Sequence, residues 1–167
     1  SEMCIRDRNE DGTFNRDSRS EWKSDYSGGG TQSSPVIYNG RIYLGGGGGT
    51  MGSNEPVNVI DAETMTTIYS IDDIKTKGSA AVSTAYATEE NHQQVYVYFV
   101  PYDGKSQKMW VISDCEGQTE PNYEVWTGIG QPEYCSQSID IAEDGSLIWY
   151  NDLGYICLLY TSDAADD

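Results

Sequence analysis

"SPVIYNGRIYLGG", Ser34–Gly46, decides how this chain folds. Two apolar, β-branched and aromatic runs flank Asn39-Gly40, and that dipeptide is a strong hairpin signal because a two-residue type I′ turn needs positive φ at both central positions. Downstream, "VNVIDAETMTTIYS" (Val57–Ser70) holds two further strand-like runs on either side of Ala62-Glu63-Thr64. The stretch therefore predicts four short antiparallel strands in one unit.

The unit recurs. Trp22, Tyr69 and Trp126 each end a strand-like run, and twelve residues after each comes a small residue opening a new one: Ser34, Ala81 and Ser138. Spacings of 47 and 57 residues separate these openings. "DAET" at Asp61–Thr64 and "DCEG" at Asp114–Gly117 supply a second register mark. The second unit reads "VSTAYAT", "QVYVYFVPY", "QKMWVIS" and "YEVWTG", with its extra residues at 89–93 and 118–122, where loops absorb them. The third opens on "QSIDIA", turns at Asp144-Gly145 and continues as "LIWYND", while residues 9–25 supply the last strand of an earlier unit. Internal repeats of this length, each of four strands, read as propeller blades.

The pattern "SSPVIYNGRIYLGG … VNVIDAETMTTIYS" resembles the blade repeat of quinoprotein-like β-propellers, the pyrroloquinoline-quinone-like repeat family. Its outer half runs apolar–x–apolar–Asp–Ala–x–Thr–Gly–Lys–x–x–Trp. This chain keeps Asp61, Ala62 and Thr64, carries Met65-Thr66 for Gly-Lys, and has Tyr69 for the Trp that Trp126 restores in the second unit. The resemblance covers roughly residues 20–156. It implies an all-β partial β-propeller, with about two complete four-stranded antiparallel blades plus parts of two others. The terminal aromatics would then dock on the neighbouring blade, burying a large apolar area.

Both ends read differently. Met3–Asp7 back-translates as ATG TGT ATA AGA GAC, followed by AG, and the reverse complement in a shifted frame encodes Cys157–Thr161 and opens the Ser162 codon. One DNA element read on opposite strands accounts for both, and it resembles a translated sequencing-library transposon adapter. Residues 1–8 and 157–167 are therefore expected to be adapter artefacts around a 9–156 repeat region, set aside as expression scars are. Residues 1–8 should pack against nothing specific, and Leu158-Leu159-Tyr160 alone suits a β edge.

Charge narrows the partners. The chain carries 10 Lys+Arg against 27 Asp+Glu, a net charge of −17, to which Asp163, Asp166 and Asp167 contribute three. Such acidity repels phosphate backbones and anionic lipid, so no nucleic-acid partner is expected. No apolar run approaches the roughly 20 residues of a membrane span. Thirteen Tyr, four Trp and 18 Gly against two Phe suit pleated strands and tight turns.

No residue emerges as catalytic, cofactor-binding or metal-ligating. "LGGGGGTMG" lacks the Lys and helix of a phosphate loop and reads as an inter-strand loop. His92, the single histidine, sits in the polar stretch "TEENHQQ" and cannot by itself form a triad or zinc site. Asp72-Asp73, Glu89-Glu90 and Glu143-Asp144 lack calcium-loop spacing and read as solvated charge. Cys115 and Cys135 fall on opposite ends of a strand, roughly 17–20 Å apart, whereas a disulfide needs Cα atoms within about 7 Å. Two free thiols are expected. Arg41 follows a turn, Lys105 and Lys108 flank a hairpin, and no two cations share an inner strand that could hold an anionic quinone.

The expected function is a non-enzymatic β-propeller binding or scaffold region of an exported bacterial protein, extracellular, cell-surface or periplasmic, with a protein or glycan ligand and no cofactor. The same blades also build pyrroloquinoline-quinone-dependent dehydrogenases. Members of that group resemble one another in a neighbouring-cysteine pair, a calcium-ligating Glu/Asn set and a catalytic Asp, none of which can be matched here, so this alternative places the active site in other blades.

Overall fold

The computed structural model describes residues 2–5, 9–13, 15, 20–24, 33–46, 56–74, 76, 78–100, 108–127, 139–150 and 156–159. These form thirteen strands and no helix. In chain order the strands are β1 (Glu2–Ile5), β2 (Ser20–Lys23), β3 (Val36–Tyr38), β4 (Arg41–Leu44), β5 (Val57–Asp61), β6 (Thr67–Ile71) and β7 (Ala81–Ser83). They continue as β8 (Val95–Phe99), β9 (Lys108–Asp114), β10 (Tyr123–Thr127), β11 (Ile139–Ile141), β12 (Leu147–Tyr150) and β13 (Ile156–Leu159).

All pairing is antiparallel, in four sheets: β1-β2, β3-β4-β5-β6, β7-β8-β9-β10 and β11-β12-β13. The two four-stranded sheets are the two complete units read from the sequence. Asn39 and Gly40 have φ of 45° and 72°, as a type I′ turn requires. Gly145, at φ 85°, donates its N–H to the Ala142 carbonyl in the third unit's turn.

Successive sheets pack face to face. Trp22 of β2 joins Ile42, Leu44, Ile60 and Met65 in one apolar cluster. The other face of the second sheet, with Tyr43, Val57, Val59, Tyr69 and Ile71, meets Val95, Val97, Phe99 and Ile112 of the third. Tyr98, Met109 and Val111 on the third sheet's far side then meet Leu147, with Ile139 and Ile141 packed alongside. Strands β4 and β5 are covered on both faces, which explains their near-continuous apolar sequence. The first strands adjoin one another, β3 beside β7 and β7 beside β11. The sheets do not close into a ring, and Ile148 on β12 is 39 % exposed.

Three expectations need correction. Residues 1–8 were expected to pack against nothing specific, yet Glu2–Ile5 pairs with Ser20–Lys23, Met3 opposite Trp22. An edge strand's unpaired N–H and C=O groups accept any apolar segment able to extend beside them. Likewise β13 pairs with β12 through Ile156–Leu159, more than the Leu-Leu-Tyr trio; Tyr160 lies outside the described residues. Third, "VSTAYAT" is strand only to Ser83, because the Ala87 N–H turns back to the Thr84 carbonyl and the Asn91 side chain caps the Tyr86 carbonyl. The glycine loop over residues 47–55 and Cys135 also lie outside the described residues.

Gly45 marks a close backbone approach. A Cβ there would stand 2.8 Å from the Gly78 carbonyl oxygen and 2.8 Å from Ser33 Oγ. Backbone cannot move aside cheaply, so Gly45→Ala is expected to cost roughly 1–3 kcal/mol, the range of overpacked cores. Denaturant unfolding checks this; an unchanged midpoint would remove the close approach from the account.

Candidate functional site

Four polar side chains meet in the seam between the two four-stranded sheets. Side-chain alternation along β4 points Arg41 and Tyr43 to the same face, and Tyr69 on β6 stands beside them through the pairing of Tyr43 with Val59 and Val59 with Tyr69. From the facing sheet, the last residue of β9, Asp114, points back at them with 0 % exposure.

Asp114 is fully engaged. Arg41 donates from Nε to Oδ2 at 2.7 Å and from Nη2 to Oδ1 at 3.0 Å. The Tyr43 hydroxyl donates to Oδ2 at 2.7 Å and the Tyr69 hydroxyl to Oδ1 at 2.9 Å. Two donors on each oxygen fill the roughly four lone-pair sites of an ionised carboxylate. Arg41 Nη2 also donates to the Gln118 carbonyl at 2.8 Å, and its guanidinium carbon lies 5.8 Å from the Tyr69 ring centre. The planar fork of arginine suits this two-point contact where the point charge of lysine would not.

Burial and the neighbouring charge act on Arg41 and the two phenols. Burial opposes the Arg41 charge, but the Asp114 carboxylate overrides it and raises the guanidinium pKa. Burial first, and then the Asp114 charge, drive both phenols of Tyr43 and Tyr69 well above the ordinary tyrosine range. They remain donors. Such a cluster is suited to holding two sheets in register, since its two charges pair with each other and the carboxylate's acceptor sites are filled.

The other candidates stand apart from it. His92 is exposed and adopts φ 56°, closing the turn in which its N–H meets the Glu89 carbonyl, and its own carbonyl accepts the Glu116 N–H. All six carboxylates of the Asp72-Asp73, Glu89-Glu90 and Glu143-Asp144 pairs are exposed. Asp73 accepts the Tyr123 hydroxyl at 2.8 Å, and Asp144 accepts the Ser146 N–H at 2.9 Å, which lowers its pKa. Among the described residues no three His, Cys, Asp or Glu side chains gather as a metal group would. Cys115 is a free, half-buried thiol donating to Gln118 Oε1.

Trp22 and Tyr69 are buried, 4 % and 6 % exposed, against the next sheet, Trp22 with its indole N–H on Thr67 Oγ1 at 2.9 Å. Trp126 is half-buried, with its ring 5.9 Å from Tyr98 and its indole N–H on Glu124. Register corrects the second sequence mark. Asp61 lies on the face shared by Tyr43 and Val59, turned toward the following sheet, whereas Asp114 shares the Ile112 face, turned toward the preceding one. A one-residue offset moves a side chain to the opposite face, so the two aspartates that look equivalent in sequence do different work. Asp61 Oδ1 accepts the Glu63 and Thr64 N–H groups within its own turn. Asp114 crosses the seam.

No family model, curated protein or solved structure matches the chain.

The raised phenols set an alkaline limit. Each holds its proton more tightly in the folded state, so the stability it contributes is complete below the unfolded tyrosine value of about 10 and is lost as pH rises past it. The melting temperature is expected to fall from about pH 10 upward. Tyr43→Phe should lower the neutral-pH value, by removing a donor from Asp114, and flatten the alkaline fall. An identical alkaline limb in wild type and variant would contradict the assignment.

Proposed function

We propose that this chain is a partial β-propeller that serves as a non-enzymatic binding or scaffold region of an exported bacterial protein, with a protein or glycan partner. The observation that carries the reading is the order of the seams. Each sheet packs on the next in chain order, the first strands of neighbouring sheets adjoin, and the last-strand aromatics Trp22 and Tyr69 fill the following seam. Consecutive blades around a propeller axis are arranged in this way.

Met65 gives the resemblance to the quinoprotein-like repeat added support. It stands where that repeat carries glycine, and its φ of 54° is the left-handed conformation that glycine adopts without strain. Here its buried side chain, packed in the Trp22 cluster, offsets the backbone cost. The non-enzymatic part of the reading rests on Asp114 and Arg41. These are the buried ionised groups among the described residues, and both are consumed by the seam. A surface role follows for the turns at one end of the sheets, where Glu63, Thr64, Glu89, Glu90, Glu116 and Thr119 are exposed.

Titration with pyrroloquinoline quinone, with and without Ca²⁺, separates this reading from a quinone-dependent dehydrogenase. No saturable binding and no dye reduction with an alcohol substrate are expected. Saturable micromolar binding, or turnover, would overturn it.

A further inference from the structure

The hairpin that presents Arg41 to the seam turns on an exposed Asn-Gly pair. Among the eight asparagines of the chain, Asn39 alone is followed by glycine. Glycine offers the least hindered backbone nitrogen for attack on a neighbouring side-chain amide. Asn39 and Gly40 are both exposed, and the Cβ position of Gly40 has no atom within 4 Å, so the turn is open on that side. Neither the Asn39 side chain nor the Gly40 N–H makes a hydrogen bond to a described residue, while the Gly40 carbonyl accepts the Ala62 N–H at 2.8 Å. Two other described asparagine amides are occupied. Asn58 bonds Pro56 and Ser70, and Asn91 bonds the Tyr86 carbonyl and the Thr88 and Gln94 N–H groups.

We propose that Asn39 is a self-modification site whose conversion to isoaspartate loosens the seam held by Arg41. The Gly40 amide nitrogen, losing its proton, bonds to Asn39 Cγ. The C–N bond to Nδ2 breaks, and ammonia leaves carrying that proton. Water then opens the five-membered imide at either carbonyl, giving aspartate or isoaspartate, with no oxidant or reductant involved. The isoaspartate route inserts one carbon into the backbone of a two-residue turn. Turn length fixes hairpin register, and the pair closing this turn is Tyr38 with Arg41. A longer turn therefore displaces the residue whose fork meets Asp114.

The whole chain is incubated at mildly alkaline pH and mapped by peptide mass spectrometry with fragmentation that separates the two products, and the aged sample is then melted. Asn39 is expected to lose its amide while Asn58, Asn91 and Asn122 keep theirs, and the converted fraction to melt below the unconverted one. Asn39→Gly, which suits the turn and has no side-chain amide, should age without any mass gain or loss of melting temperature. The proposal is overturned if Asn39 keeps its amide through an incubation that converts the same sequence as a free peptide. It is equally overturned if the converted fraction melts with the unconverted, or if Asn39→Gly loses melting temperature on ageing to the same extent as the wild type.

Discussion

The Asp114 carboxylate is the constraint on which the rest of the molecule depends. It is the acidic side chain taken wholly out of water among the described residues, and moving a carboxylate into a protein interior costs several kcal/mol. That cost is offset because four donors converge on it from strands β4 and β6 of the facing sheet. Apolar contact is non-directional. Four directional bonds from three side chains allow one relative position, and so the seam has a register.

The apolar clusters supply most of the driving force and the polar pin supplies its geometry. Tyr43 and Tyr69 contribute to both, with rings in the cluster shared by the two sheets and hydroxyls on Asp114. The next seam, between the sheet containing Asp114 and the sheet of β11 to β13, is built differently. Tyr98 occupies the place that Tyr43 holds in its own sheet, paired through Val111 to Glu124 where Tyr43 is paired through Val59 to Tyr69. Burial pushes the Tyr98 phenol up to about 12. Repeats that share a strand pattern thus differ in how their seams are pinned.

Strand positions were legible in the sequence because they rest on local chemistry. Asn39-Gly40 fixed one hairpin, Asp144-Gly145 another, and alternating β-branched and aromatic residues marked the strands between. The facing of a strand was harder to read. "DAET" and "DCEG" are alike over four letters, but Asp61 lies two residues after Val59, which faces the following sheet, whereas Asp114 lies two after Ile112, which faces the preceding one. The ion pair was hardly legible, since Arg41 and Asp114 are 73 residues apart and each sits beside a turn, where a charge is normally solvated. An arginine opening a strand whose next three residues are apolar was the one available sign. The pairing of Glu2–Ile5 with β2 shows the converse limit, because a strand edge selects for extension and apolar character, which the reading of residues 1–8 as a passenger segment left out.

A double-mutant cycle on Arg41 and Asp114 tests the central claim most directly. Arg41→Met and Asp114→Leu each leave one charge buried without its partner, and each is expected to cost about 3–5 kcal/mol in denaturant unfolding. The double variant removes both charges but leaves the Tyr43 and Tyr69 hydroxyls without their acceptor, so it should recover only the part of the loss that comes from the unpaired charge, still giving a coupling of a few kcal/mol. Additivity of the two single effects to within about 0.5 kcal/mol would contradict the account, because the two residues would then contribute independently and the seam would have no pin.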